Sequence, residues 1–273
     1  MKNILDKATQ WLTPTFDAAT QKEVNELIAD NSNDLLDRFY KDMEFGTGGM
    51  RGLMGAGTNR INKYTLGRAT QGLSNYLIQN VQKEKLSVVI AYDCRHNSKK
   101  FAKIVADVLS ANNISVFLFE DLRATPELSF AVRYLNCDAG IVLTASHNPP
   151  EYNGYKVYWS DGGQIVPPHD NGIIGNVNSL KFSEINFDAK EHLIKVIGKE
   201  VDDAFVKASV TNASLSDKID RKNLKIVFTP LHGTSIISVP DALAKAGYSD
   251  VHIVEEQKIP DGDFTTVTSP NPE

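Results

Sequence analysis

The stretch Ile141-Val142-Leu143-Thr144-Ala145-Ser146-His147-Asn148-Pro149-Pro150 decides how the rest of the chain is arranged. Its first three residues are apolar and predict the end of a buried strand. The two prolines then prevent continuation as strand or helix, and Asn148 before Pro149 favours a turn. We therefore expect the Ser146 hydroxyl just beyond the carboxyl end of a strand, where open α/β sheets bind their ligands.

The residues around Ser146 discriminate between kinds of serine chemistry. The Gly-x-Ser-x-Gly pattern of hydrolases is absent, which disfavours acyl transfer by this serine. His147 follows directly, and Lys156 comes ten positions later in Asn153-Gly154-Tyr155-Lys156. Cationic groups near a serine suit a phosphoserine, which carries about −1.5 to −2 charges near neutral pH. On spacing alone, an ordinary loop serine remains the alternative.

Around this turn the chain alternates apolar strands with amphipathic helices. Strands are expected at residues 86–91, 114–119 and 137–143, with helices between them. Thr125 is the expected cap of the helix before the last strand. Further apolar residues at helical spacing, before residue 45, predict two or three N-terminal helices that pack against the sheet domain. The fold class is α/β, a layered α/β/α domain with a mixed sheet.

The later part of the chain predicts a second, similar α/β unit. Before it we expect a strand at Val157-Tyr158-Trp159, a loop around His169 and one helix around Leu193 to Val206. The second unit starts with the apolar run from Leu224 to Phe228. The predicted divisions are a first domain at 1–210, a linker at 211–222 and an incomplete second domain at 223–273.

Composition restricts the class of protein. The chain has 273 residues, of which 41% are hydrophobic and 23% charged, as in an ordinary soluble globular protein. Its net charge of −5 provides no basic field for nucleic acid. Two cysteines, Cys94 and Cys137, give neither a disulfide framework nor a zinc spacing. No stretch is apolar enough to cross a membrane and no signal-peptide core begins the chain, so we expect a cytoplasmic protein, with no evident protein partner.

Thr144 to Pro149, taken with Asn153 to Lys156, closely resembles the phosphoserine loop of the α-D-phosphohexomutases, the phosphoglucomutases and phosphomannomutases. Phe45-Gly46-Thr47-Gly48-Gly49-Met50-Arg51-Gly52 and Pro270-Asn271-Pro272-Glu273 match the same family. The helical stretch before Phe45 looks most like the longer branch that includes phosphopentomutase-type enzymes. The resemblance covers nearly the whole chain. It implies the N-terminal part of a four-domain enzyme, with the first domain and part of the second.

The resemblance implies that phosphorylated Ser146 moves phosphate between C1 and C6 of a hexose through a bisphosphate intermediate. Arg51 would lie beside the phosphoserine, with Thr47 and Asn148 also binding phosphate. Lys156, or His147 as the alternative, would move the hydroxyl proton. Mg²⁺ would bridge Ser146 and aspartates expected beyond this chain. Hexose 1,6-bisphosphate would be the activator, and sugar phosphates the small-molecule partners.

Other candidate residues leave two interpretations open. His232 lies at a strand's end before a helix N-terminus, which suits an anion, but a loop-packing histidine is an even alternative. In the loop 93–98 we favour an Asp93–Arg95 pair and a helix cap from Asn97 or Ser98 over catalysis. Arg60 and Asn62 are expected to be structural. This part of the enzyme, taken alone, is expected to lack turnover. The alternatives for the function are a phosphopentomutase or, for this part alone, a non-catalytic sugar-phosphate-binding module.

Overall fold

The computed structural model describes residues 2–30, 33–46, 48–215 and 220–271. Three helices begin the chain: α1 (Lys2–Gln10), α2 (Ala18–Asp30) and α3 (Asn33–Phe39). They enclose an aromatic cluster in which Trp11 stacks on Phe16 with ring centroids 4.4 Å apart and meets Tyr64 edge-on at 5.7 Å. The predicted packing of N-terminal helices on the sheet domain is therefore confirmed, although two apolar residues of this region, Leu36 and Tyr40, are half exposed.

The next part of the chain forms a six-stranded sheet. Its strands are β1 (Gly49–Leu53), β2 (Ser87–Tyr92), β3 (Ser115–Phe119), β4 (Ala139–Leu143), β5 (Tyr152–Trp159) and β6 (Ile194–Ile197). They lie in the order β1-β5-β4-β2-β3-β6. Neighbours among β4, β2, β3 and β6 run parallel, whereas β5 is antiparallel to both β4 and β1. The predicted mixed sheet is confirmed.

Helices cover both faces of this sheet. They are α4 (Lys63–Asn80), α5 (Ser98–Ala111), α6 (Thr125–Tyr134), α7 (His169–Ser179) and α8 (Lys199–Asn212). Alternate residues of β2 show how the layers form, because successive side chains of a strand point to opposite faces. Val88 and Ile90 pack with α4, α5 and α7, whereas Val89 and Ala91 pack with α6 and α8. The domain is thus an α/β/α sandwich, as expected.

Several local predictions were wrong. His169 was expected in a loop but is the first residue of α7. The helix expected from Leu193 starts only at Lys199, because the preceding residues form β6 at the sheet edge. Thr125 was expected to cap α6, but Ala124 occupies the cap position, without a side-chain hydrogen bond. These signals were short, and the pairing partner that makes a four-residue edge strand lies far away in the sequence.

A second α/β unit follows. It consists of the parallel strands β7 (Ile226–Phe228) and β8 (Val251–Ile253), joined by α9 (Ser235–Lys245), which packs against α8. The expected linker, 211–222, overlaps the end of α8 and includes residues 216–219, which lie outside the described part. The divisions at 210 and 222 therefore stay predictions. Among the described helices, none is long and apolar enough to span a bilayer.

Candidate active site

Ser146 lies in a tight turn directly after β4. The chain leaves the sheet with a hydrogen bond from the Thr144 amide to the Gly154 carbonyl, 3.2 Å. The Ser146 amide then donates to the Thr144 hydroxyl at 2.9 Å. Ser146 has a φ of 59°, a left-handed conformation that costs a non-glycine residue roughly 1–2 kcal/mol. The exposed hydroxyl is thus presented by a strained backbone that its surroundings hold in place.

Arg95 holds this turn from the adjacent loop. Strands β2 and β4 are parallel neighbours, so the loops that follow them meet at one edge of the sheet. Arg95 is only 3% exposed, and its two terminal nitrogens donate to carbonyl oxygens of the turn. The acceptors are Ser146 at 2.9 Å, Asn148 at 2.5 Å, Pro149 at 2.7 Å and Tyr152 at 3.2 Å. One guanidinium therefore fixes the path of the whole Ser146 turn.

The loop that carries Arg95 is organised by Asp93. The predicted pair between the two residues is confirmed, with Arg95 Nε 3.3 Å from Asp93 Oδ2. Burial raises the pKa of Asp93, against the effect of hydrogen bonds from Thr144 and Ser98. Of the two residues expected to cap α5, Asn97 takes the cap position, with no side-chain hydrogen bond. The Ser98 hydroxyl donates instead to Asp93 at 2.7 Å.

Arg51 and Lys156 come from neighbouring antiparallel strands. In the register of β1 and β5, Arg51 lies opposite Gly154 and Lys156 lies opposite Gly49. Directly opposite residues share a face of the sheet, as do residues two positions apart, so the two cationic side chains project from the same face. Burial lowers the pKa of half-buried Lys156, and the Arg51 charge lowers it further, opposed by Asp93. The neutral amine, a proton acceptor, is correspondingly easier to form.

The glycines of these strands permit this close packing. Gly49 has a φ of 136°, and a Cβ there would lie 1.9 Å from the Tyr155 carbonyl oxygen. A Cβ at Gly154 would lie 2.6 Å from the Thr144 carbonyl oxygen and 2.8 Å from that of Met50. The glycine-rich stretch that starts at Phe45 thus leads into the edge strand β1, Gly49–Leu53. Sequence reasoning did not predict that strand.

His147 is the neighbour of the Ser146 hydroxyl. Its Nδ1 lies 3.3 Å from Ser146 Oγ, and both side chains are exposed. A neutral imidazole with a free Nδ1 accepts a proton from a hydroxyl at such a position. The roles of His147 and Lys156 as alternative proton carriers stay predictions from the family resemblance.

The other predicted residues take different positions. Asn148 contributes its backbone to the turn, donating to the Ala145 carbonyl at 3.1 Å. His232 is buried, and its ring nitrogens lie 3.0 Å from the Ile259 carbonyl and 2.8 Å from the Thr266 hydroxyl. Its ring therefore points into a loop of the second unit. Thr47, like Pro272 and Glu273 of the expected motif, lies outside the described residues.

Arg60 and Asn62 have structural roles, as expected. Arg60 is 4% exposed and pairs with Asp34 at 3.2 Å and Asp37 at 2.6 Å. Asn62 caps α4 by accepting hydrogen bonds from the amides of Tyr64 and Thr65. Arg60 and Arg51 do line one open cleft of about 390 Å³, but the charge of Arg60 is already neutralised there.

The described residues do not form a magnesium site. Mg²⁺ prefers an octahedron of oxygen ligands with carboxylates among them. Within residues 2–30, 33–46, 48–215 and 220–271, no group of three or more His, Cys, Asp or Glu side chains could hold a metal ion. Ser146 offers one hydroxyl oxygen, which is too few for such a site.

The chain belongs to the phosphoglucomutase/phosphomannomutase family, as the α/β/α fold and the serine turn would indicate. The model of the family's alpha/beta/alpha domain I matches residues 42–184. The model of its alpha/beta/alpha domain II matches residues 203–273. The resemblance seen in the sequence motifs is confirmed by these matches.

Two curated relatives are phosphoglucomutases of staphylococci. The Staphylococcus epidermidis protein is 40% identical over 236 residues, which is 85% of this chain and 42% of the relative. A Staphylococcus aureus protein is 42% identical over 241 residues, 87% of this chain and 43% of the relative. The chain thus spans less than half the length of the curated relatives it matches.

Solved structures share the fold. A protein from Burkholderia thailandensis, described as belonging to the phosphoglucomutase/phosphomannomutase family, superposes with a TM-score of 0.61 at 22% identity, over 81% of this chain and 45% of that one. Paramecium pp63/parafusin, a phosphoglucomutase, superposes with a TM-score of 0.63 at 20% identity, over 85% of this chain and 47% of that one.

Proposed function

We propose that this chain supplies the phosphoserine and the cationic part of the active site of a phosphohexose mutase. Phosphorylated Ser146 would donate phosphate to a hydroxyl of a hexose phosphate and recover it from the other end of the bisphosphate. The observation that carries the proposal is the Ser146 turn held open to solvent by Arg95, at the strand edge where ligands of such sheets bind. Family membership and the staphylococcal relatives support it.

The residues of this chain account for the charges and protons of the transfer. The bond between phosphorus and Ser146 Oγ breaks as a new bond forms between phosphorus and the sugar oxygen. Arg51 and Lys156 lie on one face of the sheet. Arg51 would neutralise the transferring group, and Lys156 would add its positive charge once it has taken up a proton. The sugar hydroxyl proton passes to neutral Lys156, whose pKa is lowered, or to His147, and Ser146 Oγ is protonated in turn.

The substrate and the compartment belong to the proposal as well. A hexose phosphate is favoured because the curated relatives are phosphoglucomutases, with a pentose phosphate as the alternative. Hexose 1,6-bisphosphate is the expected intermediate and activator. A cytoplasmic location agrees with the free thiols of Cys94 and Cys137.

A non-catalytic sugar-phosphate-binding module is the second candidate. The observation that favours it is that the described residues contain no cluster of three or more His, Cys, Asp or Glu side chains that could hold a metal ion. Such a module would bind hexose 1,6-bisphosphate through Arg51 and Lys156 without turning it over.

The test compares wild type and Ser146→Ala by intact mass after incubation with hexose 1,6-bisphosphate. Each is studied as this chain and as a chimera continued with the unmatched remainder of the Staphylococcus aureus relative. We expect one phosphate on Ser146 and mutase turnover in the wild-type chimera, and neither in the variant. Turnover retained by Ser146→Ala would refute the nucleophile. The binding module would be established instead by two results together. This chain would bind hexose 1,6-bisphosphate, more weakly after Arg51→Met, and neither this chain nor the chimera would transfer phosphate.

A further inference from the structure

A loop of the second unit lies against the loop that carries Arg95. We call residues 259–266 the docking loop. His96 Nε2 lies 2.6 Å from Asp263 Oδ1, and the Cys94 thiol donates to the Asp261 carbonyl at 3.7 Å. A Cβ at Gly262 would lie 3.0 Å from the Cys94 carbonyl oxygen, so the two backbones approach as closely as glycine allows.

The docking loop is braced from within. The Asp261 carboxylate accepts from the Asp263 amide at 2.9 Å, the Thr265 amide at 3.1 Å and the Thr265 hydroxyl at 2.8 Å. These hydrogen bonds lower the pKa of Asp261. His232 spans the loop from the Ile259 carbonyl to the Thr266 hydroxyl. These hydrogen bonds hold the docking loop in one conformation. The hydrogen bonds of His232 within the loop explain its buried position.

Phe264 is the residue of the docking loop that contacts Arg95. Its ring centroid lies 5.2 Å from the guanidinium carbon, and the residue is 6% exposed. Phe264 has a φ of 52°, a strained value for an aromatic residue, so its surroundings hold the ring where it is. A ring over a guanidinium attracts the cation and keeps water from its face. The four bonds from Arg95 to the turn are stronger in such a dry setting.

Arg95 thus contacts two residues whose backbones have the left-handed conformation, Ser146 in the first unit and Phe264 in the second. On one side it holds the carbonyl of Ser146, and on the other it contacts the ring of Phe264. We propose that Phe264 is a positioning residue for Ser146, acting through the Arg95 guanidinium, so that the second unit sets the geometry of the serine turn. The effect of this link on catalysis rests on the proposed function. The mechanical link itself, from Phe264 through Arg95 to the Ser146 turn, does not.

Amide hydrogen exchange tests the mechanical link in the complete 273-residue chain. The reporters are the amides of Ser146, Asn148 and Tyr152, which donate within the turn. In Phe264→Ala we expect these amides to exchange about tenfold faster, while strand β4 keeps its rate. The matched control is Phe182→Ala, which removes a ring 4.8 Å from the guanidinium carbon of Arg68 and should leave the turn unchanged.

Two further variants separate the ring's attraction for the cation from simple filling of space. Phe264→Tyr keeps an aromatic face and should exchange as wild type, whereas Phe264→Leu keeps apolar bulk and should exchange faster. Equal protection by leucine and tyrosine, or unchanged exchange in Phe264→Ala, overturns the inference. Phosphate uptake at Ser146 is measured in parallel in the chimeras with the Staphylococcus aureus relative that carry the same variants. Its absence from every protein, wild type included, would count against the proposed mutase while leaving the exchange result to decide the link.

Discussion

Arg51 and Lys156 stand diagonally across the antiparallel strands β1 and β5, each opposite a glycine of the other strand. No side chain of those two glycines separates the cations, so each charge acts on the other. The Arg51 charge accordingly lowers the pKa of Lys156, in addition to the effect of burial. Two like charges held together without a bound anion are costly, and a phosphoryl group between them would relieve that cost.

The first prediction concerns this pair. Arg51→Met should raise the pKa of Lys156, because it removes the nearby positive charge. Titration of lysine side chains by NMR measures the change, and the remaining lysines in the same spectrum are the internal control. An unchanged or lower Lys156 pKa in the variant would contradict the arrangement.

The lowered pKa of Lys156 also makes the free energy of unfolding depend on pH. The pKa of folded Lys156 is below its ordinary value of 10.5, so the unfolded chain binds more protons in the interval between the two. The free energy of unfolding therefore gains from this group as pH rises through that interval. Lys156→Met should remove that rise in urea titrations, whereas Lys85→Met, at an exposed lysine, should keep it.

The second prediction tests the four hydrogen bonds that the Arg95 guanidinium donates to the Ser146 turn. Arg95→Lys keeps the charge but cannot reach four carbonyl oxygens, so buried acceptors are left unpaired. We expect a loss of roughly 3 kcal/mol in the free energy of unfolding, measured with urea. Arg133→Lys is the control, because Arg133 is exposed and makes one long hydrogen bond, 3.4 Å, to Ser129. Similar losses in both variants would argue against a special role for Arg95.

The third prediction concerns Glu127, a fully buried carboxyl group between α6 and α8. Burial and the Asp202 carboxylate raise its pKa to about 8, although Arg123 Nε lies 3.8 Å away. The folded state thus binds a proton that the unfolded state has released above pH 4.5. The free energy of unfolding should therefore fall between pH 4.5 and about 8, by at most about 1.4 kcal/mol per pH unit.

Glu127→Gln should abolish that fall, because the amide cannot ionise. Urea titrations at several pH values measure the slope. Glu26→Gln alters an exposed pair with Lys22 and should keep the wild-type slope. A Glu127→Gln protein with the wild-type pH dependence would mean that Glu127 is ionised in the folded chain.

The fourth prediction compares two glycines. Gly154→Ala places a methyl group 2.6 Å from the Thr144 carbonyl oxygen, so β5 must move away from the serine turn. We expect a loss of about 1–3 kcal/mol, as for other overpacked sites. Gly175→Ala, in helix α7 with nothing within 4 Å, should stabilise by up to about 1 kcal/mol. Thermal unfolding measures both, and a neutral Gly154→Ala would show that the strands have room to spare.

Much of the site was visible in local sequence. The position of Ser146 was predicted because an apolar run followed by two prolines identifies a strand end without knowledge of the rest of the fold. Its role, like those of Arg51 and Lys156, came from the family resemblance. The role of Arg95 was missed, although a signal existed. Asp93 and Arg95 follow a strand, and loops after adjacent parallel strands meet at one edge. Recognising it required knowing that β2 and β4 are neighbours.

The sequence by itself determined the alternation of strands and helices and the exposed serine, since periodicity and turn chemistry act between residues a few positions apart. Only the tertiary structure decided which charges meet. The hold of Arg95 on the turn, the shared face of Arg51 and Lys156, and the ring of Phe264 over Arg95 each join residues that are distant in the chain. Strand order and packing bring them together, and no local pattern encodes those contacts.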